Sequence, residues 1–332
     1  MEKVRTIHVG LGPIGLQIVQ AALERGVAEP VAAADVAPDI AGRPLEEVVG
    51  TPGAGDFAVS DSLGEAIAAA EAAGGADALI LATGSRIPAI MGQLLAAIAG
   101  KLNVVSTAEE LTFPWLRHAD RAREIDGEAR RRGVTVVGTG INPGFLLDLL
   151  PLLLCRPCRT VSSVTARRIV NVSLRRPQLQ KKVGSGMSEE EYLALAADGA
   201  VGHVGLGESA AMLAAGLGWT HDSIQESIVP VIAREACGTE HFAIRPGQVM
   251  GSHQVARIHT AEGKSIELVC RMTHGEPDPH DEVIIDGDPP VHLRIEGGVF
   301  GDTATAGCTV NILRQTVAAA PGLLAVKDLP VT

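Results

Sequence analysis

The first 35 residues constrain this chain more than any other stretch. A short apolar run, Thr6-Ile7-His8-Val9, leads into the glycine loop Gly10-Leu11-Gly12-Pro13-Ile14-Gly15. A helical stretch follows, and a second apolar run ends at Asp35. Glycines directly after a strand and opening a helix, with an acid about twenty residues on, meet the context a dinucleotide fingerprint requires. Gly10 allows the tight turn, Gly12 lets the backbone approach a pyrophosphate, and Gly15 lets the helix pack closely on the strand. With Pro13 and Ile14 they form the phosphate end of a cofactor site, where helix-start amides and the helix dipole favour negative charge. Asp35 can accept hydrogen bonds from both ribose hydroxyls of NAD and would repel a 2′-phosphate. Arg43 lies close enough in sequence to soften that repulsion. NAD is therefore the expected cofactor, with NADP left open.

Beyond this stretch, apolar runs and helical patterns alternate to residue 140. Helices are expected over 16–25, to Ala73 after Ser62 and Glu65 (a candidate capping box), over 89–99 and over 115–132. Strands are expected at 78–82, 103–107 and 134–138. Apolar strands alternating with helices call for a parallel sheet covered on both faces. Ligands bind such sheets beyond the carboxyl ends of the strands. Thr83-Gly84-Ser85, Thr107-Ala108-Glu109-Glu110 and Gly140-Ile141-Asn142-Pro143 should therefore line one crevice.

After Gly144 the pattern changes. Phe145 to Leu154 is apolar almost throughout and is expected to be a buried or interface helix, broken in pattern only by Asp148. Strand-like runs follow at 161–172, 224–232, 255–259, 265–272, 283–285 and 291–295, several alternating apolar and polar as half-buried antiparallel strands do. Helices are expected over 189–197, 208–217 and 304–319. The fold class is α/β: an N-terminal Rossmann domain (1–140), a second α+β domain on an open, largely antiparallel sheet (141–302), and a C-terminal helix returning to the first domain (303–332).

Composition narrows the function. A net charge of −11 with only 2% aromatic residues leaves neither a basic stripe nor a stacking surface for nucleic acid. No apolar run reaches membrane-spanning length, and a strand begins within a few residues of the start, so neither a membrane partner nor a targeting leader is expected. Five cysteines without disulfide spacing point to a reducing cytoplasm. Cys155-Arg156-Pro157-Cys158 has CxxC spacing but no second pair, and the histidines follow no ligand pattern, so no metal site is expected.

Two stretches could carry chemistry. Glu109-Glu110 follows a strand end in the expected crevice, where a carboxylate partly desolvated beside nicotinamide can shuttle protons; read alone, it could equally be a solvated acidic pair at a helix start. Asn142-Pro143-Gly144-Phe145 offers a rigid turn, a polar tip and an apolar wall, or simply an interdomain hinge.

The combination of GLGPIG, LATGS (81–85), STAEELTFPW (106–115), GTGINPGFLLD (138–148), KVGSGMS (182–188), GHVGLGES (202–209) and GDTATAGCTVN (301–311) resembles the 2,4-diaminopentanoate dehydrogenases and the related native amine dehydrogenases. The wider fold is similar to dihydrodipicolinate reductase, whose histidine-rich catalytic stretch and Pro-Ser-Gly-Thr turn are absent here. The resemblance implies reductive amination of a ketone or aldehyde with ammonia, reversible as oxidative deamination of an amine such as 2,4-diaminopentanoate. It implies an acid/base glutamate, assigned to Glu109 with Glu110 as the alternative. It also implies a substrate pocket shaped by Phe145, His203 and Thr303, and a homodimer formed through the open sheet. The single tyrosine and scarce aromatics point to a wider pocket if relatives wall theirs with aromatic rings. A carbonyl- or imine-reducing enzyme without ammonia use, and a non-catalytic NAD-binding sensor, are the alternatives on the same scaffold.

Overall fold

A computed structural model of the chain describes residues 2–331. They divide into two compact units, residues 2–145 with 300–331, and residues 146–299.

The first unit begins β1 (Val4–Val9), α1 (Pro13–Glu24), β2 (Ala28–Ala34), α2 (Leu45–Val49), α3 (Leu63–Ala72), β3 (Ala78–Leu81), α4 (Ile87–Ala99), β4 (Asn103–Ser106), α5 (Ala119–Arg132) and β5 (Thr135–Gly138). Ser62 caps α3 by accepting from the Glu65 amide at 3.4 Å. The helix expected from Trp115 starts instead at Ala119, after a turn in which the His118 amide donates to Pro114 O.

The second unit follows as α6 (Leu149–Leu154), β6 (Thr160–Asn171), α7 (Pro177–Lys182), α8 (Glu189–Ala197), α9 (Leu206–Leu217), β7 (Gln225–Ile232), β8 (Cys237–Gly238), β9 (Ala243–Ile244), β10 (Val249–His259), β11 (Ser265–Thr273), β12 (His280–Asp288) and β13 (Val291–Glu296). Here the apolar run 145–154 is helical only from Leu149. Asp148 starts the helix there as its N-cap: one carboxylate oxygen accepts from the Leu149 amide and the other from the Ser209 hydroxyl, each at 2.7 Å. The complete reciprocal capping box of the chain's helices lies at Ser188 and Glu191, opening α8. The six-stranded sheet runs β13-β12-β6-β11-β10-β7 and is antiparallel except where β6 pairs with β11. Its inner face, with Val164, Ala166, Leu268, Cys270, Ile258 and Val283, packs on α6 and α9. The alternate residues, among them Val229, Val255, Val269 and Ile284, stand on the opposite face.

The chain then rejoins the first unit with α10 (Gly301–Asn311), α11 (Leu313–Ala318) and β14 (Gly322–Leu324). The expected single helix over 304–319 is thus two, broken at Ile312, and a strand not anticipated from sequence follows. The parallel sheet reads β14-β5-β4-β3-β1-β2. On one face Ile7, Leu79 and Val104 meet Ala66 of α3, Leu94 of α4 and Ile125 of α5. On the other, Ile80 and Val105 meet Ile18 of α1, Val310 of α10 and Leu313 of α11. Both faces are buried, as strands without alternation require. Strand order reverses between β1 and β3, which puts a ligand crevice at the carboxyl ends of those two strands.

Candidate active site

Five loops follow the strands at that edge of the first unit. Gly10 holds φ +86°, and a Cβ there would lie 2.7 Å from Ala82 O and 2.9 Å from Thr83 Cγ2, so only glycine lets the loop after β1 pass the loop after β3. A Cβ on Gly15 would come within 1.9 Å of Gly10 O, which keeps the start of α1 tight against the loop. At Gly12, by contrast, a Cβ would meet no atom within 4 Å. Proline opens α1 and no side chain caps it. This open space above a helix start, with amides unclaimed by a cap, fits a dinucleotide pyrophosphate.

Asp35 directly follows β2 and is half-buried. Its Oδ2 accepts from the Leu11 amide of the glycine loop at 2.6 Å and its Oδ1 from the Ala37 amide at 2.8 Å. The carboxylate is thereby fixed beside the loop, with lone pairs to spare for ribose hydroxyls. Val36 next to it is 86% exposed. Arg43 is half-exposed, donating to Asp39 O at 3.2 Å and standing 3.9 Å from the Glu47 carboxylate.

The loop after β3 carries Thr83, whose hydroxyl donates to Gln93 Oε1 at 2.6 Å, then Gly84 and Ser85. Ser85 O accepts from the Glu110 amide at 3.1 Å, joining this loop to the one after β4. Thr107 donates its amide to Leu81 O, and the following 3-10 turn, Glu109–Thr112, contains both acids. They differ sharply. Glu110 is 4% exposed; it accepts from the Ile87 amide at the start of α4 at 2.9 Å and lies 2.8 Å from His118 Nε2 and 3.3 Å from the Arg86 guanidinium. Glu109 is only half-buried. His118 and Arg86 as partners of Glu110 escaped the sequence reading, because neither spacing (8 and 24 residues) belongs to a local motif.

After β5, the Asn142–Pro143 peptide is cis and Asn142 is buried. Gly144 has φ +121°, and a Cβ there would sit 2.5 Å from Gly140 N, so the turn closes on itself only with glycine. Phe145 follows, half-buried, at the end of this unit. Thr303 is exposed in the first turn of α10, and Thr305, two residues further on, approaches Gly140. The first unit therefore brings together the glycine loop, Asp35, residues 83–85, 107–110 and 140–145.

His203 belongs to the second unit. Its backbone is clamped by the buried Gln254 amide, whose Oε1 accepts from His203 N at 2.6 Å and whose Nε2 donates to His203 O at 3.0 Å. In the same unit Arg168 and Asp281 form a buried ion pair, which also accepts from Val299 N and donates to Val299 O. Burial pushes the Cys155 thiol of the CxxC stretch up to about 11, away from the thiolate that redox or metal chemistry needs. Among the described residues no cluster of three metal-ligating side chains occurs, and no helix is long and apolar enough to cross a membrane.

A doubly wound parallel sheet with this glycine loop, followed by a mixed-sheet unit, is the architecture of the Rossmann-type dehydrogenases, and the chain is an oxidoreductase of that class. Residues 145–332 match the family model described as the 2,4-diaminopentanoate dehydrogenase C-terminal domain. The 2,4-diaminopentanoate dehydrogenase of Acetoanaerobium sticklandii is 31% identical over 341 residues, covering 100% of this chain and 94% of that protein. The chain belongs to this family. It is also similar to the amine dehydrogenase of Mycobacterium smegmatis, with a TM-score of 0.86 and 26% identity over 99% of this chain and 96% of that one. More distantly, it shares its fold with the WlbA dehydrogenase of Bordetella pertussis, solved with NADH and UDP-GlcNAcA, at a TM-score of 0.53 and 18% identity over 89% and 74% of the two chains.

Proposed function

We propose that this protein is an NAD(P)-dependent amine dehydrogenase that reductively aminates a ketone or aldehyde with ammonia and, in reverse, oxidatively deaminates an amine such as 2,4-diaminopentanoate. The observation that carries the proposal is the division of labour between the two adjacent acids. Glu110 is buried against the start of α4, Arg86 and His118, whereas Glu109 is only half-buried, and Glu109 is therefore the carboxylate we assign to proton transfer at the crevice.

Gly10, Gly12, Pro13, Ile14 and Gly15 would hold the pyrophosphate, Asp35 the ribose, and residues 83–85, 107, 142 and 143 the nicotinamide end. With Asp35 fixed beside the loop, NAD is the preferred cofactor. Bound there, the reduced nicotinamide supplies hydride to the carbon that receives nitrogen, and the oxidised form removes it. The other steps, addition of nitrogen to the carbonyl carbon and loss of its oxygen as water, each require a proton to be moved. Glu109 takes a proton from the attacking ammonium-derived nitrogen, returns it to the hydroxyl that leaves as water, and as an anion favours the cationic iminium that results. In the deamination direction the same carboxylate deprotonates the substrate ammonium. Phe145, His203 and Thr303 are assigned to the substrate pocket, where they set size rather than chemistry.

We read the protein as a cytoplasmic homodimer. Support comes from five free cysteines and from the outer face of the second sheet, where Val229 is exposed. Val255 and Val269 sit at the centre of that face, flanked by Arg167, Glu267 and Arg271, a pattern suited to a second copy.

The test is NADH oxidation over a panel of ketones and aldehydes with and without ammonium, paired with NAD reduction by short diamines that include 2,4-diaminopentanoate. The expected result is turnover that requires ammonium. Equal rates without it would make the protein a carbonyl reductase; tight NADH binding with no turnover in any mixture would make it a sensor.

A further inference from the structure

The place of His203 is set by a buried amide on the second sheet. Gln254 lies on β10, on the face that carries Ala256 and Ile258, with Ile228 and Cys270 as cross-strand neighbours. A buried amide among apolar side chains is destabilising unless it is hydrogen-bonded. β10 pairs with β11 on one side and β7 on the other, so its backbone is used within the sheet and a side chain must make any bond to a loop. Gln254 gives both ends of its amide to one residue: Oε1 accepts from His203 N at 2.6 Å and Nε2 donates to His203 O at 3.0 Å.

The loop that bears His203 has little stiffness of its own. Gly202 holds φ +90° and Gly205 φ +103°, and glycine at both points leaves the intervening peptides a wide conformational range. Contacts from outside narrow that range. Gly202 N donates to Lys182 O at 2.8 Å. A Cβ on Gly202 would lie 2.3 Å from Ile228 Cδ1 and 3.2 Å from Gln254 Oε1, so the loop is pressed onto the sheet beside the glutamine.

We propose that Gln254 is a positioning residue for substrate binding, acting through His203. The proposal rests on the assignment of His203 to the substrate pocket. The amide of Gln254 bonds the backbone of residue 203 on both sides, which leaves the imidazole to meet substrate from a fixed base. A clamp made before substrate arrives removes part of the ordering entropy that binding would otherwise cost, so its contribution falls on substrate affinity. The residues assigned to the cofactor all belong to the first unit, and NADH affinity should not sense the clamp.

The test uses the full-length enzyme with saturating NADH and ammonium and the carbonyl of highest ammonium-dependent rate. Gln254→Leu should raise KM for the carbonyl at least about tenfold, change kcat less than about threefold and leave the NADH Kd within about twofold. Gln254→Glu supplies a rescue. Its protonated carboxyl matches the amide, with a carbonyl for His203 N and a hydroxyl for His203 O, whereas the ionised form has no donor. Burial raises a carboxyl pKa, so KM relative to the parent should be near parity at about pH 5.5 and climb at least about fivefold by about pH 8.5. Gln254→Leu should keep a constant ratio. Dividing by the parent at each pH removes the titration of Glu109, His203 and ammonium, and Cys270 across β11 stays a neutral thiol, pushed up to about 11 by burial. His203→Ala keeps the backbone that Gln254 holds and removes the imidazole, so in that background Gln254→Leu should change KM less than about twofold. An equal rise in both backgrounds would make Gln254 a packing residue and overturn the proposal. So would a parent-like KM in Gln254→Leu, or a pH-independent ratio in Gln254→Glu, while His203→Ala still raises KM. An unchanged KM in His203→Ala, or a parent without ammonium-dependent turnover, would instead overturn the functional reading, and the proposal with it.

Discussion

At the scale of single residues, the proposed function turns on two neighbouring carboxylates that differ in burial. Glu109→Gln keeps shape but removes both the base and the negative charge, so amination should fall ~10²–10⁴-fold while NADH affinity stays unchanged. Glu110→Gln should act on stability instead. It weakens a buried acceptor shared by the Ile87 amide, His118 and Arg86, at a cost of about 1–3 kcal/mol. Steady-state amination, NADH titration and thermal unfolding of both variants separate the roles. Collapse of turnover in Glu110→Gln with near-normal turnover in Glu109→Gln would shift the role by one residue, and full activity in both would remove the carboxylate mechanism. Asp35 offers a second check. Asp35→Ser should lower the NAD preference over NADP, because the ribose loses an acceptor and a 2′-phosphate loses its repeller. An unchanged ratio of kcat/KM for the two cofactors would count against the assignment.

At the scale of elements, β1 carries a histidine where its neighbours are aliphatic. His8 is buried, its Nε2 lies 3.0 Å from the Thr6 hydroxyl, and burial holds its pKa down at about 4. An unfolded histidine titrates near 6.5, so the unfolded chain takes up a proton that the folded strand refuses. Stability from this group is therefore complete above pH 6.5 and lost as pH falls through 4, by roughly 3 kcal/mol in all. His253 and His274 are shifted in the same direction by burial. His8→Leu should flatten much of the stability loss between pH 6.5 and 4 in denaturant unfolding. An identical pH profile in the variant would mean that the histidine is hydrated in solution. Element boundaries tell a related story. Asp148 looked like a flaw in an apolar helix, and it is the residue that starts one, because its two oxygens reach Leu149 and Ser209.

At the scale of the whole molecule, the parallel sheet is completed by chain that leaves and returns. Helices α10 and α11 cover the face that α1 alone cannot, and β14 extends the sheet beside β5. The outer face of the second sheet is the corresponding open surface. If a second copy covers it, Val229→Asp puts a charge on its exposed part and should convert the protein to a monomer, read by light scattering on a size-exclusion column. A dimer of undiminished affinity would place the interface elsewhere.

By itself the sequence determined whatever is local or periodic. The glycine loop, the strand and helix alternation to residue 140, the acid at 35 and the strand-end positions of 83–85, 107–110 and 140–145 are all written in spacings of a few residues. Capping geometry, the period of apolar residues and the turn chemistry of glycine and proline act at that range. The tertiary structure decided the rest. Which of Glu109 and Glu110 is locked away depends on Ile87, Arg86 and His118, which adjacent identical acids cannot reveal. The strand Gly322–Leu324 is too short to carry a period, and exists because Val134 and β5 offer it an edge.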